Sequence, residues 1–327
     1  MVFVQFAIFT HPHLRIIMEN TNTATVVKHT GSHYMLSKLP QWELFPAVIK
    51  GKLRLKGFNS TNPIAVGDVV EYDRNEGELA TIRNILPRKN HIIRKSTNLS
   101  RQSHVIASNL DMVFLIVTVE QPEVKLPFVD RFLVTCEAYN VPATIILNKM
   151  DLYTEQGLQM VEAFKEIYGH AGYRVIESSA ATGLGIEEIR ECCKDKVVLF
   201  SGQSGVGKSS LISALDPELN LRVGEISAYH LQGKHTTTFY EMHPISTGGF
   251  VIDTPGIRGF GLVDVSQLEL SGYFPEMLRV EDNCRFAPCT HTHEPGCAVK
   301  EAVENGEISV ERYESYLGML DEQTKYR

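Results

Sequence analysis

The chain lacks any apolar run long enough to cross a bilayer. Its most hydrophobic terminal stretch, Val2 to Phe9, is eight residues, against the roughly 20 that a spanning helix needs. It also lacks the basic start and small-residue cleavage site of a secretory leader. The expectation is a cytoplasmic protein, with residues 1–20 a disordered extension and Met18 an alternative initiator. Cysteine is sparse, six in 327 residues, and unevenly placed: three fall between positions 284 and 297. Clustering of that kind in a chain without secretory features argues against a disulfide framework and for a metal. Cys136, Cys192 and Cys193 lie in helical patterns and read as ordinary core residues. Positive charge is in deficit overall, with 32 Lys and Arg against 39 Asp and Glu, which excludes a uniformly basic, nucleic-acid-coating surface. The deficit is uneven, however. Between Lys50 and Arg101 there are eleven basic and five acidic residues, and from Gly261 to the end there are six and thirteen.

What the chain does have is a set of nucleotide-site motifs in an unusual order. Asn148-Lys149-Met150-Asp151 comes first, Gly202-Gln203-Ser204-Gly205-Val206-Gly207-Lys208-Ser209 follows, and Asp253-Thr254-Pro255-Gly256 comes last. The middle motif has the spacing G-x-x-x-x-G-K-S and lies between a strand-like Val-Val-Leu-Phe and an apolar helix start, Ser210-Leu211-Ile212. In that context its backbone N–H groups cradle phosphates at a helix N-terminus. Lys208 would reach the β- and γ-phosphates, and Ser209 would offer a hydroxyl to Mg²⁺. By itself Asp151 in a four-residue match reads more readily as a helix N-cap. Beside a phosphate loop it reads as the carboxylate that pairs with both guanine donors, because an unpaired buried carboxylate against adenine would be costly. Ser178-Ser179-Ala180, again after a strand-like run (Tyr173 to Ile176), fits the loop whose N–H meets guanine O6, with Ser179 and Ala180 as its contacts.

Asp253 fits Mg²⁺ coordination and Gly256 a γ-phosphate contact. Between the phosphate loop and Asp253 lies Gly233-Lys-His-Thr-Thr-Thr238, the place for a switch threonine on Mg²⁺; Thr237 is the first choice and Thr236 the second. Where Ras-like enzymes carry a water-orienting Gln after Gly256, this chain has Ile257. His235 is the nearest substitute as base or orienter. Slow turnover stimulated by a partner is expected.

Apolar runs at Met112 to Val119, Ala143 to Leu147, Val197 to Phe200 and Gly249 to Ile252 alternate with helix-like stretches at about 128–139, 156–168, 186–193 and 208–214. That alternation predicts a parallel α/β sheet. Motif order is immaterial to such a sheet, whose ligands sit at the carboxyl ends of the strands, so the chain reads as a circularly permuted GTPase.

Upstream, about 25–94 is strand-like and turn-rich, suggesting a small OB-type barrel, a platform for oligonucleotides. Lys50, Lys52, Arg54 and Lys56 alternate along one candidate strand as RNA-binding residues, with Tyr34, Trp42 and Phe58 as base-stacking candidates. Downstream, Cys284, Cys289, His291 and Cys297 form a closed tetrahedral set suited to one structural Zn²⁺, with His293 an alternative to His291.

Together these motifs, with Ala65-Val-Gly-Asp68 and Pro87-Arg-Lys-Asn90, resemble the bacterial small-ribosomal-subunit-dependent GTPase A family, RsgA, over about residues 20–325. The resemblance implies an OB barrel at 21–100, a permuted GTPase domain at 101–262 and a zinc-bearing helical domain at 263–327. It implies GTP/GDP with Mg²⁺, a hydrolytic role for His235, and action as a monomer in late small-subunit maturation, bound to ribosomal RNA and released on hydrolysis. Lys234 stands where many members have Arg. The direct run from the Asp253 motif into the zinc domain suggests that switching repositions that domain. The alternative is a GTP-gated binder of a protein partner with incidental hydrolysis, which Ile257 favours.

Overall fold

The computed structural model describes residues 22–49, 64–74, 79–95, 103–219, 240–254 and 265–325. Short alternating segments in the amino-terminal third form β1 (Asn22–Thr30), β2 (His33–Ser37), β3 (Phe45–Ile49), β4 (Val69–Asp73) and β5 (Ala80–Ile85). Their hydrogen-bonded order is β1-β2-β3-β5-β4, and β4 pairs again with β1, closing a five-stranded barrel. The β3–β5 pair alone among these is parallel. Period-2 alternation sends Val26, Leu36, Phe45, Val70 and Ile82 into a closed core, each such burial being worth about 1.5–3 kcal/mol. The same alternation buries Tyr34, which is 2% exposed. Tyr34 is therefore a core residue and not a base-stacking platform. Trp42 is also diverted from that role: its ring packs on Phe250 with centroids 5.6 Å apart.

A two-stranded ribbon follows, β6 (His91–Lys95) with β7 (Ser103–Ser108). Its strands lie on either side of position 100. The ribbon is tied to the barrel through Asp68, a buried carboxylate that accepts from Arg88 Nε at 2.6 Å, Arg88 Nη2 at 2.7 Å, Ser108 Oγ at 2.6 Å and Ala65 N–H at 2.8 Å. On the other side, Asn90 donates to the carbonyls of Leu110 and Asn140. Residues that entered the sequence reading as family motifs thus build the joint between barrel and sheet.

The central sheet contains β8 (Met112–Val117), β9 (Ala143–Leu147), β10 (Arg174–Glu177), β11 (Val197–Gly202), β12 (Glu241–Pro244) and β13 (Phe250–Asp253), in the order β10-β9-β8-β11-β13-β12. All are parallel but β12. Its middle strands are continuously apolar, as strands covered on both faces must be. The first run ends at Val117, not Val119, because Thr118 and Val119 turn away to bond the Pro122 carbonyl and the Tyr153 hydroxyl. Helices α1 (Leu126–Ala138), α2 (Glu155–Ala171), α3 (Ile186–Cys193) and α4 (Lys208–Leu215) connect the strands. The chain runs outward from β8 to β10, then returns to place β11 on the other side of β8. This reversal makes the β8/β11 boundary the switch point at which an α/β sheet binds its ligand.

Barrel and sheet join edge to edge: Lys28 of β1 pairs with Glu241 of β12, and their side chains form a 2.8 Å ion pair. A bulge in β1 between Val26 and Lys28 locally re-aims the strand, leaving Val26 in the barrel core and Val27 in the sheet core.

The carboxyl-terminal unit has α5 (Pro275–Leu278), α6 (Ala298–Glu304) and α7 (Val310–Lys325) around Phe274, Met277, Val299 and Tyr316, with Val134 of α1 in the same core. Arg312, 1% exposed, donates to Asp130 of α1 at 2.8 Å and to Glu276 at 2.7 and 3.1 Å, and its guanidinium lies over Phe274. Arg279 donates to the carbonyls of His170 and Ala171, capping the end of α2. The unit is therefore fastened to α1 and α2, which argues against the expectation that switching swings it as a whole. No helix among the described residues is long and apolar enough to cross a membrane.

Candidate functional site

Three loops meet at the carboxyl ends of β9, β10 and β11. After β9, Asn148 is buried and donates its Nδ2 to the Val206 carbonyl at 2.8 Å, while its Oδ1 accepts from Ser178 Oγ at 3.1 Å. Ser179 Oγ donates to Asp151 Oδ1 at 2.5 Å, and Met150 N–H donates to the Ser178 carbonyl. Asp151 itself is exposed, with Lys149 and Ala180 half-buried beside it. Segments thirty to sixty residues apart in sequence thus assemble one rim, with an exposed carboxylate held by Ser179. Lys149 holds a left-handed backbone, φ +66°, which a non-glycine residue adopts at a cost of about 1–2 kcal/mol.

The phosphate loop, Gly202 to Ser209, turns from β11 into α4, whose N-cap is Gly207 at φ +93°. A Cβ there would sit 2.4 Å from Asn148 Nδ2, so the close seating of the two loops requires glycine. Val206 is buried, whereas Ser204, Gly205, Ser209 and Ser210 are exposed and Gln203 is half-buried. Lys208 Nζ folds over the loop, donating to the carbonyls of Gly202 at 2.9 Å and Gln203 at 2.8 Å. Burial lowers its pKa, and Asp253 opposes that shift.

Asp253 ends β13, directly beside β11. Its Oδ1 is buried and has no hydrogen-bond partner among the described residues. Burial pushes its pKa up to about 6 against the pull of Lys208. Thr254 Oγ1 donates to the Phe200 carbonyl at 2.9 Å. An orphaned buried carboxylate oxygen close to the Lys208 ammonium fits a hard divalent cation, which takes oxygen donors. His235, Thr236, Thr237 and Gly256 lie outside the described residues, as do Lys50, Lys52, Arg54, Lys56 and Phe58.

The Cys284, Cys289, His291 and Cys297 ligand atoms all lie within 4.8 Å of one another. Cys284 Sγ is 3.9 Å from Cys297 Sγ and 3.6 Å from His291 Nδ1, which is 3.3 Å from Cys297 Sγ. Tetrahedral zinc with Zn–S near 2.3 Å requires ligand separations of about 3.7 Å, so the donor set fits. The choice between histidines falls on His291, which is buried, while His293 is exposed and turns to Thr292. Sequence reasoning missed what supports this cluster: Tyr313 and Tyr316 of α7 donate their hydroxyls to the carbonyls of His291 and Thr290. They lie 22 and 26 residues downstream of the carbonyls they reach and carry no motif; only the helical spacing of two tyrosines hinted at a shared face.

A family model described as RsgA GTPase matches residues 85–263. The chain is similar to a Bacteroides fragilis protein named Small ribosomal subunit biogenesis GTPase RsgA, at 51% identity over 304 residues, covering 92% of this chain and 98% of that one. It also resembles the crystal structure of YjeQ from Thermotoga maritima, with a TM-score of 0.74 and 37% identity over 92% of this chain and 97% of that one. A second solved structure, YloQ, described as a circularly permuted GTPase, matches with a TM-score of 0.69 and 27% identity over 95% and 98% of the two chains.

Proposed function

Because the chain belongs to the RsgA GTPase family, we propose that it hydrolyses GTP to GDP and phosphate as a late maturation factor of the small ribosomal subunit. The observation that carries this reading is the 2.8 Å bond from Asn148 Nδ2 to the Val206 carbonyl, which seats a guanine-reading loop against a phosphate loop. Asp151, Ser179 and Ala180 would read the base. Backbone N–H groups from Gly205 to Ser210 would hold the phosphates, with Lys208 leaving its loop carbonyls for the β- and γ-oxygens. Ser209 and Asp253, joined by Thr237, would hold Mg²⁺, which when bound neutralises phosphate charge. With Ile257 in place of a water-orienting Gln, His235 takes that role and Gly256 meets the γ-phosphate. Slow intrinsic turnover, raised by the small subunit, is the consequence.

The barrel would lie on ribosomal RNA, with Lys50, Lys52, Arg54 and Lys56 as its basic contacts. Nucleotide state has a short route to it. The segment with Thr236 and Thr237 leads into β12, which pairs with β1 through Lys28 and Glu241, and Trp42 rests on Phe250 at the start of the strand that ends in Asp253. The carboxyl-terminal unit, bolted to α1 by Arg312, travels with the GTPase core. Cys284, Cys289, His291 and Cys297 would hold one structural Zn²⁺, with no open position for chemistry. The protein would act in the cytoplasm as a monomer.

The test is GTP turnover by the purified protein alone, with small subunits and with large subunits, repeated for His235→Ala. Stimulation by the small subunit only, lost in the variant, is expected. Absence of stimulation by either particle would sink the ribosomal assignment, and stimulation that survives in the variant would sink the role of His235.

A further inference from the structure

The guanine-reading loop has a third support that no nucleotide motif describes. Tyr153, two residues after Asp151, is half-buried, and its hydroxyl donates to the Asn148 carbonyl at 2.5 Å while accepting from Val119 N–H at 3.2 Å. The next residue, Thr154, donates its backbone N–H at 3.0 Å and its hydroxyl at 2.8 Å to the two oxygens of Glu120. That hydroxyl also accepts from Gly157 N–H at 3.1 Å as the cap of α2. The approach is close: a Cβ at Gly157 would lie 2.4 Å from Glu120 Oε2. Lys149 Nζ completes the set on the Gln121 carbonyl at 2.7 Å. Residues 119, 120 and 121, consecutive after β8, each hold a different point of the loop after β9.

We infer that Tyr153 and Glu120 are positioning residues for base recognition. Neither reaches the rim where the base would sit; both act through the backbone of the loop that carries Asn148 and Asp151. The loop needs such restraint because Lys149, between those two residues, holds the left-handed turn at φ +66°. Fixing the Asn148 carbonyl sets the peptide plane from which that turn departs, and so sets where the Asp151 carboxylate points. Burial keeps the Tyr153 phenol protonated to about 12, so it remains a donor throughout the working pH range. The inference rests on the guanine-nucleotide reading and extends it to specificity. Guanine differs from hypoxanthine by the exocyclic amine, which the Asp151 carboxylate alone would recognise. Loosening its loop should therefore erode that discrimination before it erodes phosphate binding.

The experiment is equilibrium binding of fluorescent GDP and IDP to the full chain, as wild type, Tyr153→Phe and Glu120→Gln, with thermal unfolding of each free protein. Tyr153→Phe keeps the ring and removes one hydroxyl. It should weaken GDP about five- to tenfold, the scale of one to two lost hydrogen bonds, and IDP by clearly less, so that the GDP:IDP preference shrinks. Glu120→Gln should move the preference the same way by about half as many fold. An unchanged preference in Tyr153→Phe would overturn the inference, whether GDP affinity is retained or both ligands weaken equally with a lowered melting temperature. Failure of the wild type to bind GDP would overturn the nucleotide reading itself, and the clamp with it.

Discussion

The nucleotide-facing rim and the Cys/His cluster are both built from a handful of polar residues, but they are assembled in opposite ways. The rim draws Asn148, Ser179 and Val206 from three loops far apart in sequence, and each loop is the end of a strand whose apolar residues are buried in one continuous core. Its geometry is set by the sheet before any ligand arrives. The cluster draws all four ligands from positions 284–297, a stretch that follows a 3₁₀ turn at Glu281–Asn283 and has no strand among the described residues. It is held by two tyrosines of α7, and its order would depend further on a metal bound by the four ligands. Sheet-end sites are thus pre-organised by distant packing, and loop clusters by a local crosslink.

The largest effect expected from this contrast is on metal removal. Chelation, or Cys297→Ser, should unfold the carboxyl-terminal unit, since structural zinc supplies about 10 kcal/mol or more of apparent folding free energy in small metal-bound units. GDP affinity should stay within about twofold, the roughly 0.3–0.5 kcal/mol within which distant sites without shared partners act independently. Limited proteolysis beside a GDP titration reads both, and parallel loss of nucleotide binding would break the distinction.

Next is the fastening between the two regions. Arg312→Met strands Asp130 and Glu276 in the interior, where Asp130 Oδ2 already lacks a hydrogen-bond partner among the described residues and burial raises the Asp130 pKa despite the guanidinium. Removing one partner of a buried ion pair costs about 3–5 kcal/mol. Urea unfolding should show that loss, and a triple change that also replaces Asp130 and Glu276 by apolar residues should recover much of it.

Within the rim, Lys208→Ala should weaken GTP by about ten- to a hundredfold, the 1.5–3 kcal/mol of a hydrogen bond to a charged group, without lowering the melting temperature. Gly207→Ala should weaken it by a comparable factor through a different cause, strain of about 1–3 kcal/mol at φ +93°. The smallest effect is with pH. Because the Asp253 carboxyl titrates near about 6, a proton competes with Mg²⁺ below that value and not above it. Magnesium-dependent nucleotide binding should fall by up to about tenfold per pH unit beneath 6 and level off above 7. In Asp253→Asn the slope should disappear.

Much of this was legible from the chain. Strands β8, β9, β11 and β13 announce themselves because a parallel strand covered on both faces must be apolar throughout, and the loops that follow carry Gly, Lys, Asn and Asp for reasons of chemistry. The cluster was legible because metal ligands are few in kind and spaced by turn geometry. Less legible were residues whose role depends on a partner from another element. Tyr34 and Trp42 look the same in sequence, yet one is sealed in the barrel and the other bridges to Phe250. Asp68 carries no sign of being a joint until it accepts from both Arg88 and Ser108.

The sequence by itself determined the motifs: which apolar runs are strands of the central sheet, which loops carry the phosphate-loop, Asn-Lys-x-Asp and Cys/His patterns, and that their order is permuted. Motif spacing and apolar periodicity are local properties, and the chain states them directly. Only the tertiary structure decided which histidine faces the thiols, that Tyr153 and Glu120 brace the base-reading loop, that β12 lies against the barrel, and that Arg312 bolts the carboxyl-terminal unit to α1. Apart from the histidine's, those placements rest on contacts between residues from 34 to more than two hundred positions apart. Such pairings are fixed by packing of a whole core, which no local pattern encodes.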